Sequence, residues 1–181
     1  MLNILLTIDK QITQFLNTII PHNSFFNWIF SFISFSNGII IWIILALILI
    51  IIEETHHKKF IFYLIICTGL AYLINEFGLK NIFMRSRPLF PIPYTLSPFS
   101  CPTDFSFPST HAAFAFSAAT VFAFFHKKKK WFIFYYFIAA LISYSRIYLG
   151  CHYLMDVVAG GLIGYLISKI ILKFTFLPRK T

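Results

Sequence analysis

Charge is what this chain has least of. Only 12% of its 181 residues are Asp, Glu, Lys or Arg, and the acids number six. A chain this poor in charge and 59% hydrophobic does not have the composition of a soluble domain; it reads as a membrane protein. There is no internal repeat. The first residues lack the basic flank and small-residue cleavage site of a secretory leader, so no cleavable signal peptide is expected. Three cysteines leave room for one intramolecular bond at most.

The charge that is present is lopsided. Fifteen Lys and Arg against six acids give a formal net charge of +9. Such an excess can mark nucleic-acid binding. Here the lysines flank apolar runs, which is the positive-inside pattern of membrane proteins, and no nucleic-acid partner is expected.

The hydropathy pattern predicts an all-α, polytopic transmembrane helix bundle forming one domain over residues 1–181. Five core spans of about 20 residues fit the length, or six if residues 1–36 add another. Met1 to Ile20 carries Asp9, Lys10, Gln11, Gln14 and Asn17 inside an apolar pattern. With the break at Pro21-His22-Asn23, residues 1–23 read as an amphipathic helix at the membrane interface. Phe25 to Ile52 is apolar with a break near Asn37-Gly38, and Glu53 to Lys59 is a polar loop. Further spans are expected at Phe60–Leu79, Ser109–Phe125, Trp131–Tyr148 and Tyr153–Leu172. Residues 80–107 form one long non-helical stretch; together with Pro108 they hold six of the eight prolines. Loops of that length inside compact domains are usually functional or disordered.

Topology then places the polar residues. With Lys58 and Lys59 inside, alternation puts loop 80–107 outside, Lys127–Lys130 inside, the Arg146–His152 turn outside and the tail inside. Apart from Lys10, the exceptions to inside lysine and arginine are Lys80, Arg85, Arg87 and Arg146. Three polar clusters therefore share one face: Lys80 to Arg87-Pro88, Pro108-Ser109-Thr110-His111, and Ser145-Arg146 with His152 and Asp156. Ionisable residues at a membrane face are functional candidates.

Their chemistry converges on phosphate. Pro108 suits the first helical position, so Ser109, Thr110 and His111 should present free backbone N–H groups at a helix N-terminus, an anion site. Lys80, Arg87 and Arg146 add three cations suited to phosphate oxygens. His152 and Asp156 lie four apart at the start of the last span. A carboxylate there can fix the imidazole tautomer and leave the other ring nitrogen free to attack, with His111 as general acid. Glu76 is expected to pair with Lys80. Arg85 either touches substrate or snorkels to the interface. Asp104 reads as ordinary loop chemistry. His22, His56, His57 and His126 read as interfacial or loop residues, and Tyr144 and Tyr148 as packing or interface belt. Cys67 is inert packing. Cys101 and Cys151 share the outer side and could bond, but free thiols are the expected state, because sequence does not fix their separation.

The set Lys80-x6-Arg87-Pro88, Pro108-Ser109-Thr110-His111 and Ser145-Arg146-x5-His152-x3-Asp156 resembles the three-part signature of the type 2 phosphatidic acid phosphatase family, which also includes vanadium haloperoxidases. The resemblance implies that His152 becomes a phosphohistidine, Asp156 orients it and His111 protonates the leaving oxygen. Lys80, Arg87, Ser109, Thr110 and Arg146 would hold the phosphoryl oxygens. No metal or other cofactor is implied, since three packed cations would repel a metal ion. Thr110 departs from the family's usual glycine; it keeps the backbone N–H but adds bulk that narrows the pocket or alters head-group preference. The implied protein is a lipid phosphatase of a bacterial inner or plasma membrane, with its site on the periplasmic or extracellular face. Undecaprenyl diphosphate is the first substrate to consider, then phosphatidylglycerophosphate, phosphatidate and lipid A phosphate. The rival readings are a non-catalytic lipid-phosphate binding or transport protein and a vanadate-dependent haloperoxidase.

Overall fold

The fold was analysed in a computed structural model that describes residues 2–34, 39–52, 57–88, 101–126 and 128–176. Among these residues every regular element is helical: α1 (Leu2–Thr18), α2 (Ser24–Ser34), α3 (Ile39–Ile52), α4 (His57–Leu73), a π-helical turn (Ile74–Leu79), α5 (Lys80–Phe83), α6 (Thr110–His126), α7 (Lys129–Tyr148) and α8 (Leu154–Phe176). The expected break at Asn37-Gly38, most of the proline-rich stretch and the basic tail lie outside the described residues.

Among the described residues, three stretches are long and apolar enough to cross a bilayer by length and composition: Lys58–Phe83, Lys129–Tyr148 and Leu154–Phe176. The bent pair Ser24–Ser34 and Ile39–Ile48 makes a fourth if it counts as one span. The expected span after the long loop is helix α6, an apolar helix of 17 residues, at the lower end of the length that crosses a bilayer. That helix is apolar on all sides because it is enclosed on all sides. Ala112, Ala113, Ala115, Ala118, Ala119, Val121 and Phe122 are fully buried against α4, α7 and α8. Outward-facing Ile61, Ile65, Phe137, Leu162 and Leu166 leave an apolar exterior, as lipid contact requires.

Small residues let α8 approach α6 closely. Gly160, Gly164 and Ser168 repeat every fourth position along α8. A Cβ on Gly160 would stand 2.2 Å from the Ser109 carbonyl oxygen, and one on Gly164 2.0 Å from that of Ala113. One turn further, the Ser117 and Ser168 hydroxyls bond at 2.7 Å.

Two boundaries differ from expectation, for local reasons. The helix that starts at His57 continues through the π turn to Phe83, so the long loop begins at Met84, not at residue 80. Met84 takes the left-handed conformation (φ 46°) and returns its N–H to the Lys80 carbonyl, which ends the helix. After the loop, Pro108 sits one residue before the α6 cap and not at the first helical position, and its peptide with Phe107 is cis.

Helix α1 is amphipathic, as predicted. Ile4, Ile8, Ile12, Phe15 and Ile19 are exposed, while Asp9, Thr13 and Asn17 form a buried stripe at four-residue spacing. The cysteine expectation is overturned: Cys101 and Cys151 are disulfide-bonded, with Cα atoms 5.3 Å apart, and Cys67 alone is free. The loop 101–107 folds back over the α7–α8 turn, a separation that sequence spacing does not reveal.

Because its new methyl group would meet backbone rather than a yielding side chain, Gly160→Ala should cost about 1–3 kcal/mol. A thermal midpoint lowered by several degrees in detergent, with phosphate binding weakened through the displaced Ser109, is the expected result.

Candidate active site

The α7–α8 turn carries Arg146, His152 and Asp156, and it is tightly specified. Gly150 adopts φ 68° at the end of α7. The N–H of Cys151 bonds the Arg146 carbonyl at 2.9 Å and that of Gly150 bonds Ile147 at 3.0 Å, the Schellman pattern that glycine permits. The His152 N–H also reaches the Arg146 carbonyl, at 3.2 Å. Helix α8 then starts at Leu154. His152 lies in the turn before it and Asp156 in its first turn, so the two are not stacked on one helical face as the spacing suggested.

Asp156 acts first as a cap. One oxygen accepts the Tyr153 N–H at 2.9 Å, and the other accepts Arg85 at 2.6 Å. With both oxygens engaged, the carboxylate stands 3.6 Å from His152 Nδ1, beyond hydrogen-bond range. Ser106 flanks both groups, its backbone beside the imidazole and its hydroxyl beside the carboxylate.

The other ring nitrogen of His152 is defined by its neighbour. Arg87 Nη1 lies 2.9 Å from Nε2. Arginine can only donate, so Nε2 carries the lone pair and Nδ1 the proton. His152 is 1% exposed. Burial pushes its pKa well below the ordinary histidine value, and Arg146, Arg87 and Lys80 push it further down. The imidazole is therefore neutral, with its lone pair facing the cations.

Those cations surround it. Arg146, 5% exposed, donates from Nη1 to the Ser34 hydroxyl, while its Nε and Nη2 find no partner among the described residues. Arg87 is held by Asp104 through its backbone carbonyl at 2.9 Å and its carboxylate at 2.6 Å. Lys80 bonds Glu76 at 2.8 Å and also the Asp104 carboxylate. Burial alone would raise the Asp104 pKa, but the hydrogen bonds and charges of Lys80 and Arg87 hold it at about 2. Asp104 was read as loop chemistry; it bridges two of the three site cations.

The N-terminus of α6 completes the ring. Ser109 caps the helix, its carbonyl accepting Ala113 N–H at 3.0 Å, and its hydroxyl is buried without a partner. Its own N–H is not free as expected, because it bonds the Asp156 carbonyl at 2.9 Å. The amides of Thr110 and His111 open the first turn and have no intrahelical acceptor. His111 stands among Arg146, His152 and Lys80. The Thr110 hydroxyl donates to Glu76 at 2.7 Å, on the same oxygen that holds Lys80. The expected Glu76–Lys80 pair is present, and the bulk at Thr110 has a use as its third member.

All eight residues singled out from sequence thus gather at one place. Sequence reasoning missed Asp9 and misjudged Arg85, which neither faces the pocket nor snorkels. Arg85 bonds Asp156 and Asp9 at 2.6 Å each and lies 3.9 Å over the Tyr153 ring. The four-residue spacing of Asp9, Thr13 and Asn17 was the available signal.

The sequence matches the family model described as the PAP2 superfamily over residues 60–180. The chain belongs to that superfamily. A Sulfolobus acidocaldarius protein named undecaprenyl-diphosphatase is 35% identical over 71% of this chain, and the aligned part spans 60% of that protein's length. A Bacteroides thetaiotaomicron lipid A 4'-phosphatase is 33% identical over 91% of this chain and 75% of its own. The crystal structure of a transmembrane PAP2 type phosphatidylglycerolphosphate phosphatase from Bacillus subtilis shares the fold, with a TM-score of 0.72 at 24% identity, covering 99% of this chain and 90% of that one. The sequence resemblance implied a lipid phosphatase, with a vanadate-dependent haloperoxidase as a rival; the relatives named here all carry phosphatase or diphosphatase names.

Thr110→Val removes the hydroxyl that fixes Glu76 while keeping the side-chain shape. One lost hydrogen bond is worth about 1 kcal/mol. Calorimetric titration with inorganic phosphate should show roughly five-fold weaker binding; unchanged affinity would detach Thr110 from the lysine's placement.

Proposed function

We propose that this protein is an integral membrane lipid phosphatase that works through a phosphohistidine at His152. The observation that carries the reading is the set of buried, unpartnered donors around one neutral imidazole: Arg146 Nε and Nη2 and the Ser109 hydroxyl. A buried donor without a partner costs about 1–3 kcal/mol. A phosphoryl group bound there would satisfy all three and face the His152 lone pair.

The roles follow from geometry. His152 Nε2 attacks phosphorus. Arg146, Arg87, Lys80, the Ser109 hydroxyl and the first amides of α6 hold the phosphoryl oxygens and the charge that develops on them. His111 protonates the leaving oxygen, and water then hydrolyses the phosphohistidine. Arg87 must exchange part of its bonding with Nε2 for a phosphoryl oxygen when substrate arrives. Apart from the hydrolytic water, each role is assigned to a side chain or backbone amide of this chain.

For the substrate, the apolar exterior and the placement of the site at the helix ends support a lipid whose tail stays in the bilayer. An apolar cavity of about 410 Å³ runs between α7 and α8 past Phe116, Tyr136 and Leu162 up to Val157, beside Asp156. Undecaprenyl diphosphate comes first, supported by the name of the Sulfolobus relative; lipid A phosphate follows, supported by that of the Bacteroides relative. The clustering of lysines on one side supports a site on the opposite, outer face of the membrane, which we take to be a bacterial plasma membrane.

Phosphate release by detergent-purified protein from undecaprenyl diphosphate, lipid A, phosphatidylglycerophosphate and phosphatidate tests this reading. The expected result is turnover of at least one lipid, greatest with undecaprenyl diphosphate, and its loss in His152→Ala with inorganic phosphate still bound. Normal turnover in that variant would end the phosphohistidine mechanism.

The pH profile supplies an independent check. The nucleophile must be neutral, and its depressed pKa keeps it neutral as pH falls through the ordinary histidine value of 6.5. The acid limb of kcat/KM should therefore lie well below pH 6.5. An acid limb near 6.5 would mean that a different group limits the rate.

A further inference from the structure

Outside the pocket, the least expected group of charges is a buried triad spanning three parts of the chain. Asp9 belongs to α1, Arg85 follows α5, and Asp156 opens α8. Arg85 Nη2 bonds Asp9 Oδ2 and Nη1 bonds Asp156 Oδ1, both at 2.6 Å. The side chains of Asp9 and Asp156 are 2% and 0% exposed, and that of Arg85 is 18% exposed. Asp9 comes from outside residues 60–180, the part of the chain that carries the family match.

The arrangement holds more than a structural pair would need. Asp9 Oδ1 already accepts the Met155 N–H at 3.0 Å, and Thr13 accepts that of Leu154 at 2.9 Å, so neutral acceptors could cap α8. A single carboxylate, Asp156, would balance Arg85. A second one makes the buried cluster net −1, directly behind His152, whose other side faces Arg146, Arg87, Lys80 and His111.

We propose that Asp9 is a positioning residue for the reaction at His152: by sharing Arg85 it leaves Asp156 with a net negative field on the imidazole. The inference rests on His152 as nucleophile. In the attack, the Nε2 lone pair forms the N–P bond, the bond from phosphorus to the leaving oxygen breaks, and the His111 proton goes to that oxygen. The proton on Nδ1 stays, so His152 becomes cationic among three fixed cations. A cluster of net −1 on its Nδ1 side stabilises that cation. Without the Asp9 charge the cluster is neutral. A unit charge acting over about 12 Å at an effective dielectric of about 20 changes an equilibrium about ten-fold. Asp9 reaches the imidazole through two hydrogen bonds of 2.6 Å, to Arg85 and from Arg85 to Asp156, and a last step of 3.6 Å from Asp156 to His152 Nδ1, a path on that scale.

The test compares two anions on detergent-purified wild type, Asp9→Asn and the double variant Asp9→Asn/Arg85→Gln. Inorganic phosphate reads the cations alone, whereas orthovanadate, a tetrahedral phosphate analogue, becomes five-coordinate by bonding the imidazole. Asp9→Asn should bind vanadate about ten-fold more weakly, with phosphate affinity unchanged, and in turnover should lose kcat about ten-fold at constant KM. The double variant returns the cluster to −1 through Asp156 and leaves no unpaired buried cation, so it should recover most of the vanadate affinity. That recovery separates a charge effect from a structural one, since a second structural lesion would add to the first.

Wild-type vanadate affinity in Asp9→Asn would overturn the proposal. So would equal weakening of phosphate and vanadate, no recovery in the double variant, or wild type that binds phosphate but not vanadate. Wild type that binds vanadate in the predicted order, yet releases phosphate from no lipid, would remove the function proposed above and leave this inference standing.

Discussion

Backbone hydrogen bonding at the α7–α8 turn is the constraint on which the site depends. Two helix ends meet there, and in an apolar surrounding their unpaired carbonyls and amides must find partners within the protein. Helix α1 supplies them. Asn17 donates to the Ile147 and Tyr148 carbonyls at 2.8 and 2.7 Å, and Thr13 and Asp9 accept the first amides of α8. One buried stripe of a helix otherwise facing outward thus caps both sides of the turn that presents Arg146, His152 and Asp156. Tyr148 adds a second anchor through Asn27 of α2 at 2.5 Å, and it stacks on His22.

Charge in this molecule is concentrated where it is compensated. Lys80, Arg85 and Arg87 are each held by carboxylates, from Glu76, Asp104, Asp9 and Asp156. Four of the six acids in the chain are therefore spent on three cations. Arg146 is the exception: its described partner is a hydroxyl, and two of its donors have none. That asymmetry separates the cations that the fold pairs with acids from the one that it leaves with unpaired donors.

Much of this was legible in the sequence, and the parts that were not share a physical cause. Lys80, Arg87, His111, Arg146, His152 and Asp156 were conspicuous because polar residues are rare in so apolar a chain, and lysine bias put them on one face. The helices beginning near residues 24, 60, 110, 130 and 154 followed from hydropathy and turn residues. What failed was orientation over distance. Arg85 finds partners 76 and 71 residues away, and no local spacing announces either. The His152–Asp156 spacing suggested a shared helical face, but the Schellman turn pushed the start of α8 past His152. Ser109 lost its free amide to a carbonyl of α8 that only the close packing at Gly160 brings near. The number of spans was least legible, because α6 is apolar through burial in protein and, at 17 residues, lies at the lower end of span length.

The disulfide between Cys101 and Cys151 joins the segment bearing Asp104 to the turn bearing His152. Such bonds persist in oxidising compartments and are rare where thiols are kept reduced. Assembly of the site is thereby coupled to the orientation of the chain in its membrane. A molecule inserted the other way round would keep both thiols, leave the Asp104 segment untethered and lack the brace on Lys80 and Arg87. The covalent link thus makes the surroundings of Asp104 and His152 sensitive to the redox state of the face that bears them.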